Sequence, residues 1–374
     1  MFGLPSIRIG RLFGIPLEID ASWFLVFFLV AATLTTSYFP TALPDRAPAQ
    51  YVLLGVLTAL AFFGSLVLHE LAHSLVARAG GLRISKVTLF LFGGVSQMEE
   101  EPHSAGREFV MALAGPLTSV FVGGVCFGAA ALLRAVGAAE ALWVPFEYLA
   151  LINWSLAVFN MLPGFPLDGG RVLRAALWAS TKDLLKATRW ASRAGQALGM
   201  LLIASAVLGV LGGRYNLVWL ALIGWFLANA AAGAYQQQVI RAKLAEVPLH
   251  QIMSAPAELV PAEMSLEAMA HSYFLGGRHT RYPVVSEGRV VGLVDLARLN
   301  TIPREQWKAL SVGEVAARDL ADVVATPETT VEAILPRLEP GGPGAVLVVQ
   351  EGRLAGIVTR ADVIRLIRES GPRA

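Results

Sequence analysis

The sequence predicts a polytopic α-helical membrane domain of about six transmembrane helices, with a small re-entrant β segment, followed by a soluble α/β domain. Three observations carry this. Hydrophobic residues make up 55% of the 374 and charged residues 16%, well under the roughly 25% charged of an average soluble domain. The long apolar runs all fall before residue 238, whereas residues 238–374 have an ordinary globular mixture. Within that second part, "YPVVSEGRVVGLVDLARL" at 282–299 returns as "VLVVQEGRLAGIVTRADV" at 346–363, an offset of 64. The expected division is 1–240 for the membrane domain and 241–374 for the soluble one, with repeats at about 247–308 and 309–370.

Crossing a bilayer takes roughly twenty apolar residues, and six runs qualify: 20–39, 51–78, 108–133, 143–163, 195–212 and 216–237. No small-x-small cleavage site follows the first before "FPTALPDRAP", so it is read as a retained helix. Lys and Arg beside the spans gather on one side, fourteen residues from Arg8 to Lys243, against Arg46, Arg134 and Arg214 on the other. Because basic loops stay cytoplasmic, both termini and the soluble domain are expected on the cytoplasmic side of a multi-pass protein in the cell membrane. With a net charge of +2 and no basic cluster among aromatics, nothing points to a nucleic-acid partner, and none is expected. The single cysteine, Cys126, excludes an intramolecular disulfide.

Late in the second run stands "SLVLHELAHSLVARAGG", residues 65–81. Ionisable groups inside a span cost about 2.5 to 3.5 kcal/mol each on insertion scales and mark function by default. Residues four apart share a helix face, so His69 and His73 can approach one ion while Glu70 reaches its open coordination position. This is the H-E-x-x-H pattern of zinc hydrolases, in which zinc activates water and the carboxylate takes its proton. The bland alternative is a chance match in an apolar helix.

A catalytic zinc takes a third protein ligand. His103 follows the acidic "MEEEP", and His250, His271 and His279 lie in the soluble domain. The candidate is Asp168, in "NWSLAVFNMLPGFPLDGGRVLR" at 153–174, where Pro163 and Pro166 break the helix. Irregular backbone at membrane depth is tolerated only facing protein or a wet cavity. From the residues alone, Asp168 is either that ligand or a cap for the helix that follows.

Together, "HELAHSLVARAGG", "LFGGVSQM" at 91–98, "FVMALAGPLTS" at 109–119 and "FNMLPGFPLDGGR" at 159–171 resemble the site-two protease family of intramembrane zinc metalloproteases. The similarity is to the branch with C-terminal cystathionine-beta-synthase (CBS) domains and no PDZ domain, and it covers essentially the whole chain. It implies one catalytic zinc ion held by His69, His73 and Asp168, with Glu70 as general base. The implied substrate is a membrane-spanning protein cut within or near its helix.

Residues 84–97, "ISKVTLFLFGGVSQ", are rich in β-branched and aromatic residues, with Gly93 and Gly94 suited to a sharp reversal. Such a re-entrant hairpin would offer a strand edge on which an unwound substrate pairs through its backbone; otherwise it is a core-facing loop. Asn160 either supports the carbonyl oxyanion or ties down the broken backbone, and Asn153 is read as structural. Residues 171–193 carry six basic residues among Leu173, Trp178, Leu184, Leu185 and Trp190, the pattern of a helix lying at the cytoplasmic interface.

In the soluble domain each repeat has an apolar strand, a Glu-Gly-Arg turn, a second strand and the start of a helix. The pairing resembles a CBS module, a family that often binds adenine nucleotides through a Gly-h-h-Thr-x-x-Asp segment. The second copy keeps it as Gly356, Thr359 and Asp362, whereas the first has Asp295 and Arg298 at the Thr and Asp positions. The implied partner is an adenine nucleotide held by Thr359 and Asp362; the alternative is a docking unit or homodimer contact only. A CBS-regulated transporter or channel is the competing function. It would show inverted repeats or several intramembrane charges, whereas here the polar groups concentrate in two segments.

Overall fold

The computed structural model describes residues 6–91, 93–98, 101–254, 258–274, 281–317, 323–338 and 344–370. Its contacts divide the chain into two compact units, 1–238 and 239–374.

The first unit opens with a hairpin, β1 (Ser6–Leu12) antiparallel to β2 (Ile15–Asp20). Phe13 and Gly14 turn it with φ of 50° and 81°, the backbone twist that two-residue hairpin loops favour. Asp20 then caps α1 (Ala21–Thr33), its side chain accepting from the Ser22 amide at 2.9 Å. A π-helical turn at Leu34–Tyr38 and α2 (Phe39–Ala42) prolong that helix. After α3 (Pro48–Ala79) come β3 (Ile84–Phe90) and β4 (Gly93–Met98), then α4 (Ala105–Ala135), α5 (Glu140–Asn160), α6 (Asp168–Thr181), α7 (Leu184–Leu211) and α8 (Val218–Glu246).

Among the described residues, six helices are long and apolar enough to cross a membrane: Ala21–Ala42, Pro48–Ala79, Ala105–Ala135, Glu140–Asn160, Leu184–Leu211 and Tyr215–Glu246. Their outward faces carry large apolar side chains such as Phe28, Leu57, Phe121 and Leu208, as helices surrounded by hydrocarbon do. Their inward faces are built from small residues, among them Ala59, Ala112, Ala187, Ala191 and Ala231, all fully buried. Lipid gives no hydrophobic drive for helix association, so close approach over small residues supplies it. Gly199 of α7 and Gly224 of α8 show this, since a Cβ on either would meet the other's backbone.

The sheet has the order β1-β2-β3-β4, with β2 and β3 parallel and the outer two pairs antiparallel. The hairpin expected at 84–97 is therefore present, enlarged by an N-terminal hairpin that sequence reading did not anticipate. Gly93 and Gly94 do not form its reversal; they pair with Phe90 and Leu89 as the first residues of β4. The basic segment 171–193 also differs from expectation. It is not one interfacial helix but the end of α6 and the start of α7, divided at Lys182 with φ of 57°. The fifth apolar helix begins at Leu184 rather than near 195.

The second unit repeats one pattern. In the first copy, β5 (Val260–Pro261), α9 (Leu266–Met269), β6 (Arg281–Ser286), β7 (Arg289–Asp295), α10 (Leu296–Asn300) and α11 (Val312–Val315) form a three-stranded sheet with its helices. The second copy has β8 (Val324–Ala325), α12 (Val331–Leu338), β9 (Ala345–Gln350), β10 (Arg353–Thr359) and α13 (Arg360–Ser370). In both, a short strand runs parallel to the first strand of a hairpin. Both Glu-Gly-Arg turns have positive φ at two residues, 50° and 76° at Glu287 and Gly288, 53° and 80° at Glu351 and Gly352. Leu293, Val323 and Leu347 pack together across the two copies.

Candidate active site

Helix α3 brings His69 and His73 onto one face, both buried, with 3% and 6% of their surface exposed. Their Nε2 atoms lie 3.3 Å apart. Asp168, the first residue of α6, places Oδ2 3.2 Å from each of them. These are the three donor groups that come close enough to share one ion among the described residues. An ion with bonds of about 2.05 Å at tetrahedral angles holds two donors ~3.3 Å apart. The three edges match one face of such a tetrahedron, so the donor set fits zinc in both chemistry and spacing.

The far side of each imidazole is also engaged. His73 Nδ1 donates to the Met111 carbonyl at 2.7 Å, and His69 Nδ1 lies 2.9 Å from Ser119 Oγ. Both partners belong to α4. Such bonds fix the ring orientation and leave Nε2 as the metal-facing lone pair. Between them on α4, Gly115 has no side chain for a structural reason: a Cβ there would lie 2.5 Å from His69 Nε2 and nearer still to His73 Nε2. The glycine keeps open the space in which an ion would sit.

Asp168 reaches this place through a broken segment. α5 ends at Asn160, and the chain turns through residues 161–167, with a cis peptide bond before Pro166. Phe165 N donates to Ala191 O of α7 at 3.2 Å. Gly164, Gly170 and Gly195 close this junction so tightly that a Cβ on any would collide with backbone. α6 then begins at Asp168, so the residue is both first in its helix and a member of the donor triangle.

Glu70 follows His69 and is held from the sheet. Ser96 Oγ donates to Glu70 Oε2 at 3.2 Å and also lies 3.0 Å from Ser74 Oγ. Gly94 faces the same side chain, and a Cβ there would lie 2.8 Å from Glu70 Cδ. Asn160 closes α5, half-buried, and its side chain makes no hydrogen bond among the described residues. Asn153 is fully buried, its Nδ2 donating to Leu149 O at 2.8 Å, while Oδ1 has no partner among the described residues. Of the other histidines, His250 Nδ1 is 3.2 Å from Pro327 O, and His279 lies outside the described residues.

In the second unit Asp362 gathers four bonds: from Thr359 N at 2.9 Å and Thr359 Oγ1 at 2.7 Å, from Ser254 Oγ at 3.1 Å and from Arg365 at 2.9 Å. In the first copy, Asp295 caps α10 by accepting from Arg298 N at 2.6 Å.

The sequence matches known proteins over nearly its full length. The profile of peptidase family M50 matches residues 57–142 and 135–202, and the CBS domain profile matches 249–301 and 312–369. Rip3 of Mycobacterium tuberculosis is 36% identical over 97% of this chain and 93% of that protein. The chain belongs to peptidase family M50. Zinc metalloprotease MJ0392 of Methanocaldococcus jannaschii is 29% identical over 96% of this chain and 95% of that protein. A solved structure, the site-2 protease from the same organism, is 29% identical, covers 62% of this chain and 95% of its own, and superposes with a TM-score of 0.43.

As a member of M50, the protein is a membrane zinc metalloendopeptidase of the site-2 protease type with a CBS pair at its C-terminal end. The transporter reading is set aside by this membership. Sequence reading did not single out Ser119, Gly115, the Met111 carbonyl or Ser96. The first three lie in "FVMALAGPLTS", whose polar Ser119 inside an apolar span was the available signal.

Proposed function

We propose that this M50 peptidase hydrolyses peptide bonds in transmembrane segments of protein substrates at a zinc ion held by His69, His73 and Asp168. The observation that carries this is the donor triangle of 3.2 and 3.3 Å edges beside an ionisable Glu70. When bound, zinc supplies Lewis acidity that polarises a carbonyl and makes water a nucleophile near neutral pH. The chain does the rest. Glu70 takes a proton from the attacking water and passes it to the leaving amine. Ser96 orients that carboxylate from β4, while Ser119 and the Met111 carbonyl hold the two imidazoles. β4 ends the sheet order, and an unwound substrate pairs along its open edge, because a helical peptide's carbonyls are already hydrogen-bonded and covered. Asn160 is assigned to substrate or backbone support at the end of α5.

The termini and the CBS pair are assigned to the cytoplasmic side from the distribution of Lys and Arg. An adenine nucleotide at Thr359 and Asp362 is proposed to modulate activity, the second copy alone keeping the Thr and Asp of the binding segment. The direct test uses the full-length protein in detergent with a single-span substrate. Glu70→Gln should retain bound zinc and lose cleavage, and His69→Ala should lose both. Full cleavage by Glu70→Gln would remove the proposal.

A further inference from the structure

Two charged residues outside the donor set are buried beside it. Glu108 in the first turn of α4 is 0% exposed, and Arg174 of α6 is 7% exposed. Arg174 Nε donates to Glu108 Oε1 at 2.6 Å, and a terminal nitrogen of the guanidinium contacts the same oxygen. The second carboxylate oxygen, Oε2, has no hydrogen-bond partner among the described residues. Among the described residues, the side-chain hydrogen bonds of Glu108 therefore come from Arg174 alone. The guanidinium also lies over the Phe165 ring, 5.2 Å from its centroid.

A negative charge near a helix N-terminus is favourable without being buried, so capping does not explain the burial of Glu108. Stability explains it poorly too, because well-packed apolar residues commonly replace a buried ion pair at no loss. What the pair does have is position. Glu108 precedes by one turn Met111, whose carbonyl fixes His73. Arg174 follows Asp168 by six residues on one helix, and the Phe165 beneath its guanidinium precedes Asp168 by three. The pair thus joins the helix that orients both histidines to the helix and loop that deliver the third donor. Directional bonds to a planar guanidinium set separation and rotation in a way that small apolar residues do not.

We propose that Glu108 and Arg174 are positioning residues of the metal centre: their ion pair fixes α6 against α4 and so holds Asp168 at the two histidines. This rests on the reading of His69, His73 and Asp168 as zinc ligands.

The test measures zinc affinity by chelator competition, and the visible spectrum of the cobalt-substituted protein, on the full chain in lipid nanodiscs. Arg174→Lys keeps the charge and loses the fork; the double variant Glu108→Leu with Arg174→Met strands no charge. Each should stay folded and bind zinc about 10- to 100-fold more weakly, the usual range for outer partners of metal ligands, with an altered cobalt spectrum. A merely structural pair would lower the melting temperature and leave affinity and spectrum unchanged below it. Wild-type affinity and spectrum in the folded double variant would overturn the inference while leaving the ligand assignment standing. If wild type bound no more zinc than His69→Ala, the ligand assignment would fall and the inference with it.

Discussion

Gly115 and Ser119 act on the donor triangle from one helix, by opposite means. Gly115 contributes empty space beside both Nε2 atoms, and Ser119 contributes a hydroxyl 2.9 Å from His69 Nδ1. Gly115→Ala is expected to displace an imidazole and abolish tight zinc binding. Ser119→Ala, which only frees the ring, should weaken it about 10-fold. Zinc content after dialysis against a graded chelator distinguishes the two, and wild-type retention in Gly115→Ala would contradict the assignment. The pair His69 and His73 was legible because four-residue spacing on a helix is a local property. Asp168 was legible as a polar residue after two prolines, although the residues left its role open. Ser119 is fifty positions from His69, and its role depends on which face of α4 meets α3. Tertiary packing decides that, and no periodicity records it.

At the scale of elements, the hairpin β3–β4 was readable from its β-branched and aromatic run. Its union with the N-terminal hairpin was not, because parallel pairing of Leu17–Ile19 with Val87–Leu89 joins segments about seventy residues apart. The glycines show the limit of composition. Gly93 and Gly94 look like turn residues, yet Gly94 stands in β4 because Glu70 needs the room. The division of 171–193 at Lys182 was equally hidden, since basic residues interleaved with Leu and Trp fit one surface helix or the ends of two. Substrate pairing on the β4 edge has a geometric signature. With Cys126 replaced, Val95→Cys should crosslink to cysteines scanned along a substrate segment with a period of two residues, as strands require. A period between three and four would mean that the substrate stays helical there.

On the scale of the whole molecule, the two-part organisation was visible in composition, and the CBS repeat in its 64-residue offset. The two copies differ at the segment proposed to hold the nucleotide. In the second, Thr359 donates to Asp362 from both its amide and its hydroxyl, whereas in the first the equivalent positions hold Asp295, which caps α10, and Arg298. Calorimetry with ATP, ADP and AMP should therefore find binding that Asp362→Ala removes and Arg298→Ala leaves intact. Binding unaffected by Asp362→Ala, or none in the wild type, would contradict the nucleotide assignment. The central claim concerns the metal, and zinc-edge X-ray absorption on the purified full-length protein tests it most directly. The expected spectrum shows nitrogen and oxygen neighbours at about 2.0 to 2.2 Å, with the outer-shell scattering of two imidazoles, and loses an oxygen contribution in Asp168→Ala. A spectrum with a sulfur neighbour, one unchanged by Asp168→Ala, or no bound zinc at all would contradict it.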